Sequence, residues 1–284
     1  MFLIRIQLML KIWKECFQDV ILYQILTFPN GIQLILKKMD EIFRDCTSLN
    51  SLDLSNWNIF KVVNMYRIFS GCKRLSNLNI SEWDTSKVIN MSSIFFECES
   101  LINLDVSKWN TINVETMDNI FYGCKSLTNL DVSKWNTIKV RYMSNMFSNC
   151  YFLSKLDISN FKTNNVISLD GMFNGCKLLT SLDASKWDTR NVIRMDSMFS
   201  GCIISLTYLN VSTWSTIKVD NMNEMLMQCS SLKYLDLSSF VTVFCDNISK
   251  IFDECDKDLV VLVDKYNAQN LVEAIKDTVN IITN

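Results

Sequence analysis

From Met39 to about Asp264, apolar and polar positions recur on a ruling of 26 residues, stretched once to 27 between Cys202 and Cys229. Cysteine keeps the step at Cys46, Cys72, Cys98, Cys124, Cys150, Cys176, Cys202, Cys229 and Cys255. A leucine column runs from Leu52 through Leu78, Leu104 and onward to Leu235. An aromatic column runs from Trp57 to Trp214, with Phe161 and Phe240 in place of tryptophan. A phenylalanine column runs from Phe43 to Phe252 and is broken only by Leu226. One unit reads M-x-x-[MI]-F-x-x-C-x-S-L-x-x-L-D-[LIV]-S-x-W-[ND]-T-x-x-V-x-x. Self-similarity at a fixed period of this length is the mark of an arrayed fold.

Each unit has two halves. "SLDLS", "NLDVS" and "KLDIS" alternate polar and apolar residues, which predicts a short strand with one face inward. The other half places Val62, Met65, Ile68, Cys72 and Leu75 three or four apart, with Phe69 beside Ile68. That spacing predicts a short helical or 3₁₀ turn packed on the core. The expectation is an α/β leucine-rich-repeat solenoid of about nine units over residues 39–264, each with a short parallel strand and a short helical turn. At about 4.8 Å per strand it makes a rod of roughly 45 Å. In residues 265–284, Leu271, Ile275, Val279 and Ile282 share one face of a predicted helix that caps the last open edge.

The motifs L-x-x-L-D-[LIV]-S-x-W-[ND]-T and M-x-x-M-F-x-x-C-x-S-L resemble the BspA-type leucine-rich repeats of bacterial surface proteins. They are most similar to the subgroup known as a mycoplasma-type lipoprotein repeat of unknown function. The resemblance covers about residues 39–264. It implies a solenoid on the cell surface that binds proteins or matrix, without catalysis. No secretion signal or lipid-attachment motif stands in this chain, and a reduced intracellular scaffold is the alternative.

Residues 1–38 are apolar but unruled. Back-translation with A/T-rich codons, read from the third base of the Ile12 codon, yields a complete 26-residue unit that runs into Met39. The expectation is that residues 1–38 are out-of-frame translation of one more repeat, the frames rejoining at the A-rich tract under Lys37, Lys38 and Met39. The rival is an irregular N-terminal cap, which solenoids need.

Composition narrows the chemistry. The 284 residues are 49% apolar, ample for a core, and a net charge of −2 gives no electrostatic case for nucleic acid or an anionic membrane. Histidine is absent, which removes the commonest general base and zinc ligand together. No catalytic residue, cofactor or metal is expected. The chain holds 11 cysteines without a C-x-x-C pair, and the column lies between core Phe and core Leu, so these thiols are expected to be buried and free. Cys245 is off-register and is the candidate exposed thiol. Each Trp is expected to fill a corner, its N–H bonded to a neighbouring carbonyl.

Alternation sends Asp53, Asp105, Asp131, Asp157, Asp183 and Asp236 outward, with Asn79 and Asn210 in the same column. Stacked carboxylates repel, so hydrogen bonds and Lys108, Lys134 and Lys186 are expected to offset the charge, with bound cations as the alternative. Specificity belongs where columns vary. Just before the strand Leu stand Ser51, Asn77, Asn103, Asn129, Lys155, Ser181, Tyr208 and Tyr234, and the two tyrosines resemble interface anchors. The candidate partner-binding face is therefore Asp53, Asp105, Asp131, Lys155, Asp157, Asp183, Tyr208, Tyr234 and Asp236, and the partner a protein.

Overall fold

The alternating segments form short parallel strands in the computed structural model, which describes residues 38–202 and 206–284. They are β1 (Ser51–Asp53), β2 (Asn77–Asn79), β3 (Asn103–Leu104), β4 (Asn129–Leu130), β5 (Ser181–Leu182), β6 (Tyr208–Leu209), β7 (Tyr234–Leu237), β8 (Val260–Val263) and β9 (Asn280–Thr283). In β2, Leu78 is buried between exposed Asn77 and Asn79, the pattern alternation demands. Pairing is parallel and one repeat away: Leu52 faces Leu78, Leu104 faces Leu130, and Leu182 faces Leu209 across the 27-residue unit. A second ladder climbs another side as single parallel bridges, from Asn64–Asn90 up to Asn221–Asn247. The fold is a parallel β-solenoid of about eight turns.

The predicted helical turns are not there. Met65-to-Cys72 and its copies are runs of tight turns. Cys72 N–H donates to Phe69 O three residues back at 3.1 Å, whereas Phe69 N–H leaves its coil and donates to Ile94 O of the next at 2.9 Å. An α-helix would have kept that donor for the residue four back. Two residues per unit also hold positive φ, such as Arg67 (54°) with Gly71 (77°) and Ser93 (57°) with Glu97 (55°). A left-handed residue every fourth position stops a right-handed helix before it closes a second turn.

The physical reason is thickness. Strands repeat at about 4.8 Å, but packed helices sit about 8–10 Å apart. Here the Phe rings of successive coils stack at 5.4–5.7 Å between centroids, so the far side of the coil keeps the strand spacing. Flattened turns fit that spacing and helices do not. The α/β leucine-rich-repeat expectation is corrected to a solenoid of strands and turns.

The same turns carry a further ladder of hydrogen bonds. Glu41 N–H donates to Tyr66 O, Arg67 N–H to Ser92 O, Ser93 N–H to Asp118 O and Asn119 N–H to Ser144 O, each at 2.8–3.1 Å. Successive peptide groups thus align head to tail along the stack, as they do within a helix, but between coils. This satisfies backbone groups that a buried turn would otherwise leave without partners.

Inside, the columns are buried as read, but the expectation of free thiols is corrected at Cys46, which is disulfide-bonded, whereas Cys72 and the column after it are free. The Leu, Trp, Phe and Cys columns are buried throughout, apart from half-buried Cys255 at the last coil. Each thiol from Cys72 to Cys255 donates to a backbone carbonyl one coil back, as Cys124 does to Phe95 at 3.2 Å. A buried threonine column adds a polar rung: Thr137 Oγ1 donates to Lys162 O at 2.9 Å and accepts Lys162 N–H at 2.7 Å. Trp83, Trp135 and Trp214 donate to carbonyls one coil back as expected, but the buried indole N–H of Trp57, Trp109 and Trp187 finds no partner among the described residues. Cys245 is not the exposed thiol: it is buried, with Sγ 3.3 Å from Asn247 O, because the turn after Thr242 folds it inward.

The C-terminal helix is shorter than expected. α1 spans Gln269–Ile275, burying Leu271 and Ile275 over the open core, and Val279 is buried just beyond it. Ile282 is not on that helix. It lies on β9, 52% exposed, where the chain returns to pair in parallel with β8. Except for Lys38, the reading of residues 1–38 as an out-of-frame repeat falls outside the described residues.

Candidate recognition faces

The strand face is built by alternation. Asp53, Asp105, Asp131, Asp157 and Asp183 are exposed, and Asp236 at the last full coil is half-buried. Each carboxylate caps its own corner. Asp131 Oδ1 accepts Ser133 N–H at 3.0 Å and Ser133 Oγ–H at 2.6 Å, and Asp105, Asp157, Asp183 and Asp236 repeat the pattern with the serine two residues on. Asp53 receives the Ser55 N–H at 3.0 Å. These are Asx turns, which carry the chain out of the strand and toward the Trp corner.

The serine hydroxyl, then the serine N–H, holds the carboxyls of Asp105, Asp131 and Asp183 below the usual carboxylate range, with Lys108, Lys134 and Lys186 acting through space. Hydrogen bonds thus offset the stacked charge. The lysines do not pair with the column directly: Lys108 Nζ bonds Glu82 on the previous coil at 2.6 Å. Among the described residues no group of three or more His, Cys, Asp or Glu side chains is placed to hold a metal ion.

The variable column also faces out. Asn103, Asn129, Lys155 and Ser181 are exposed, and Tyr208 and Tyr234 are exposed by 61% and 54%. The structure therefore gathers the predicted residues on one face, tyrosines toward the C-terminal end.

Two further features were not found from the sequence. The first is a polar ridge on the turn side. Ser144 N–H and Thr116 Oγ1 both donate to Asp118, at 2.8 and 3.1 Å, and Ser144 Oγ and Ser168 Oγ both donate to Asp170. Burial pushes the Asp118 carboxyl above its ordinary range despite these bonds, with the Asp170 charge adding to the shift. The columns at Thr116 and Asp118 mix Asn, Ser, Thr, Asp, Tyr and Arg, so no periodic signal marked them.

The second is an open groove of about 670 Å³ beside the second ladder, lined by Glu115, Lys139, Arg141, Asn165, Ile167, Asn191, Ile193 and Lys218. Its two walls are outward residues on either side of the buried valines Val140, Val166 and Val192. Asn165 and Asn191 are tied to the coil before through Nδ2–H donated to Ile138 O and Asn164 O, at 2.7 and 2.8 Å. Lys139 Nζ and Lys218 Nζ reach back to Asn113 Oδ1 and Asn191 Oδ1, both at 2.8 Å.

Among the described residues no helix is long and apolar enough to cross a membrane. No curated protein and no solved structure matches the chain. Two stretches, residues 37–156 and 152–262, match the family described as "Mycoplasma protein of unknown function, DUF285". With most of its length matched, the chain belongs to that family.

Proposed function

We propose that this protein is a non-enzymatic recognition scaffold that binds other proteins through its strand face, displayed at the bacterial cell surface. The observation that carries the reading is the separation of roles within each coil. Leu, Phe, Trp, Cys and Thr columns are consumed by the stack, while the position before the strand Leu, half-buried at Ser51, is exposed from Asn77 to Tyr234 and varies from Asn to Lys to Tyr. A surface fixed in geometry and free in side chain is suited to recognition. Exposed Tyr208 and Tyr234 supply the large, rigid contact area that interface anchors use.

Binding rather than catalysis is supported by the buried nucleophiles. The core thiols are held protonated by burial and bonded to carbonyls, so none is poised to attack a substrate. Kinship with BspA-type surface repeats is part of this reading, and rests on the L-x-x-L-D-[LIV]-S-x-W motif.

The test has two arms. Purified chain carrying a photo-crosslinker at Tyr208 or Tyr234 should capture protein partners that are not captured from a site on the turn side, such as Phe96, whose ring stacks on Tyr122 at 4.7 Å. Protease shaving of intact cells should release its fragments. Equal capture from both sides would remove the strand-face reading, and complete protection in intact but not lysed cells would remove surface display.

A further inference from the structure

We infer that the groove beside the second ladder is a separate site for an extended acidic peptide running along the stack, with two carboxylates four residues apart and an apolar side chain midway. The proposal deepens the reading of the chain as a protein-binding scaffold and rests on it, but it uses a different face.

The groove is charged and unspent. Lys139, Arg141 and Lys218 line it against one carboxylate, Glu115. Within the described residues none of the three cations lies within 4.0 Å of a carboxylate, unlike Lys73, Lys125 and Lys233 elsewhere on the surface. Lys139 and Lys218 are instead held in place by neutral asparagine oxygens, which orient the ammonium groups without neutralising them. In a chain of net charge −2 this local excess is a stated preference for an anionic partner.

Geometry sets the spacing. Lys139 reaches back to the coil of Asn113 and Lys218 to the coil of Asn191, three coils apart. At about 4.8 Å per coil the two ammonium groups are about 14 Å apart, the span of about four residues of extended chain. In such a chain residues i, i+2 and i+4 share one face. With i and i+4 on the lysines, i+2 falls over the middle of the groove, against Ile167 and the apolar stem of Arg141.

The floor decides how the ligand is held. Ile167 N–H is donated to Arg141 O and Ile193 N–H to Ile167 O, both at 2.8 Å, so the backbone there is already paired between coils. A peptide cannot add to it as a strand and must be read by side chains. Nucleic acid fits less well, since Glu115, Ile167 and Ile193 interrupt the cations and no aromatic ring lines the groove for base stacking.

The test is fluorescence anisotropy with the full chain and a labelled peptide, GSDSVSDSG, against a peptide with the aspartates three apart, one with both replaced by serine, and single-stranded oligothymidylate. The four-residue spacing should bind best, weaken with added salt, and lose roughly tenfold or more in affinity in Lys139→Glu/Lys218→Glu. Lys139→Gln/Lys218→Gln, with unchanged thermal melting, should lose part of it. Equal binding of both spacings, unchanged binding by the charge-reversed chain, equal or tighter binding of oligothymidylate, or no binding at millimolar peptide overturns the proposal. A strand-face variant, Tyr208→Ala/Tyr234→Ala, should leave peptide affinity untouched. Loss of partner capture in that variant alone therefore separates the two sites.

Discussion

The thiol of Cys98 donates to the carbonyl of Phe69, 3.1 Å away and one coil back. The contact recurs from Cys72 to Cys255, and it makes the cysteine column a seam of weak hydrogen bonds inside an apolar core. Burial pushes the Cys72 and Cys202 thiols up to about 12 and Cys255 to about 11, from an ordinary value of 9.0. The folded state favours the neutral thiol, so its contribution is complete below pH 9.0 and is lost as pH rises from there toward about 12. Denaturant midpoints should hold up to pH 9 and fall steeply above it. Iodoacetamide at pH 9 should label Cys255 first among the free thiols, and the seam only after unfolding. A flat stability profile through pH 11 would contradict the burial.

Left-handed positions give a second prediction. Glu97 and Gly175 occupy the same place in different coils, at φ 55° and 71°. A side chain there costs about 1 kcal/mol. Glu97→Gly should therefore stabilise by about 0.5–1 kcal/mol, its exposed pairing with Lys73 being worth little. Gly175→Ala should destabilise by about 1 kcal/mol through its φ of 71°, the Asn149 Oδ1 that the new Cβ would meet at 2.6 Å being a side-chain end that can turn aside. Urea denaturation of the two variants reads both signs.

The tryptophans divide by hydrogen bond. Trp135 Nε1–H donates to Val106 O at 3.2 Å, but Trp109, stacked on it at 6.1 Å, has no acceptor. Both Trp→Phe changes lose similar packing. Trp135→Phe should cost about 1 kcal/mol more, the net worth of the lost bond. Equal losses would show that the indole N–H contributes nothing.

The acidic column should respond as a set of corners, not as a charge ladder. Asp131→Asn keeps the Oδ1 acceptor for Ser133 and should change stability little at pH 7, whereas Asp131→Ala should cost about 1 kcal/mol. Because the carboxyls of Asp105, Asp131 and Asp183 are lowered, their contribution is present above the ordinary value of 3.8 and fades as pH falls below it. Acid titration followed by tryptophan fluorescence checks this.

The columns themselves were legible because a stack buries the same position in every coil. Leu78, Phe95, Cys98 and Trp83 stand where a ruling of 26 residues put them, and Asp131 and Tyr208 face out as strand alternation requires. The turn conformation was misread because a spacing of three or four between apolar residues is shared by a helix and by stacked turns. The discriminating signal stood just before cysteine, where Gly71, Gly123, Asn149, Gly175 and Gly201 mark a backbone position that prefers positive φ. The groove and the Asp118 ridge lie in columns that vary from coil to coil. The ruling puts Lys139 and Lys218 in one column, but the groove they line becomes visible only in the fold.

The central claim is that both sides of each coil advance at the strand spacing. Electron–electron spin distances test it on two doubly labelled chains, Asp53→Cys/Asp183→Cys on the strand face and Thr47→Cys/Lys177→Cys on the turn side, each pair five coils apart. Flattened turns predict about 24 Å for both pairs. A turn-side distance of about 40–50 Å against a short strand-side one would restore a helix to every coil and contradict the account.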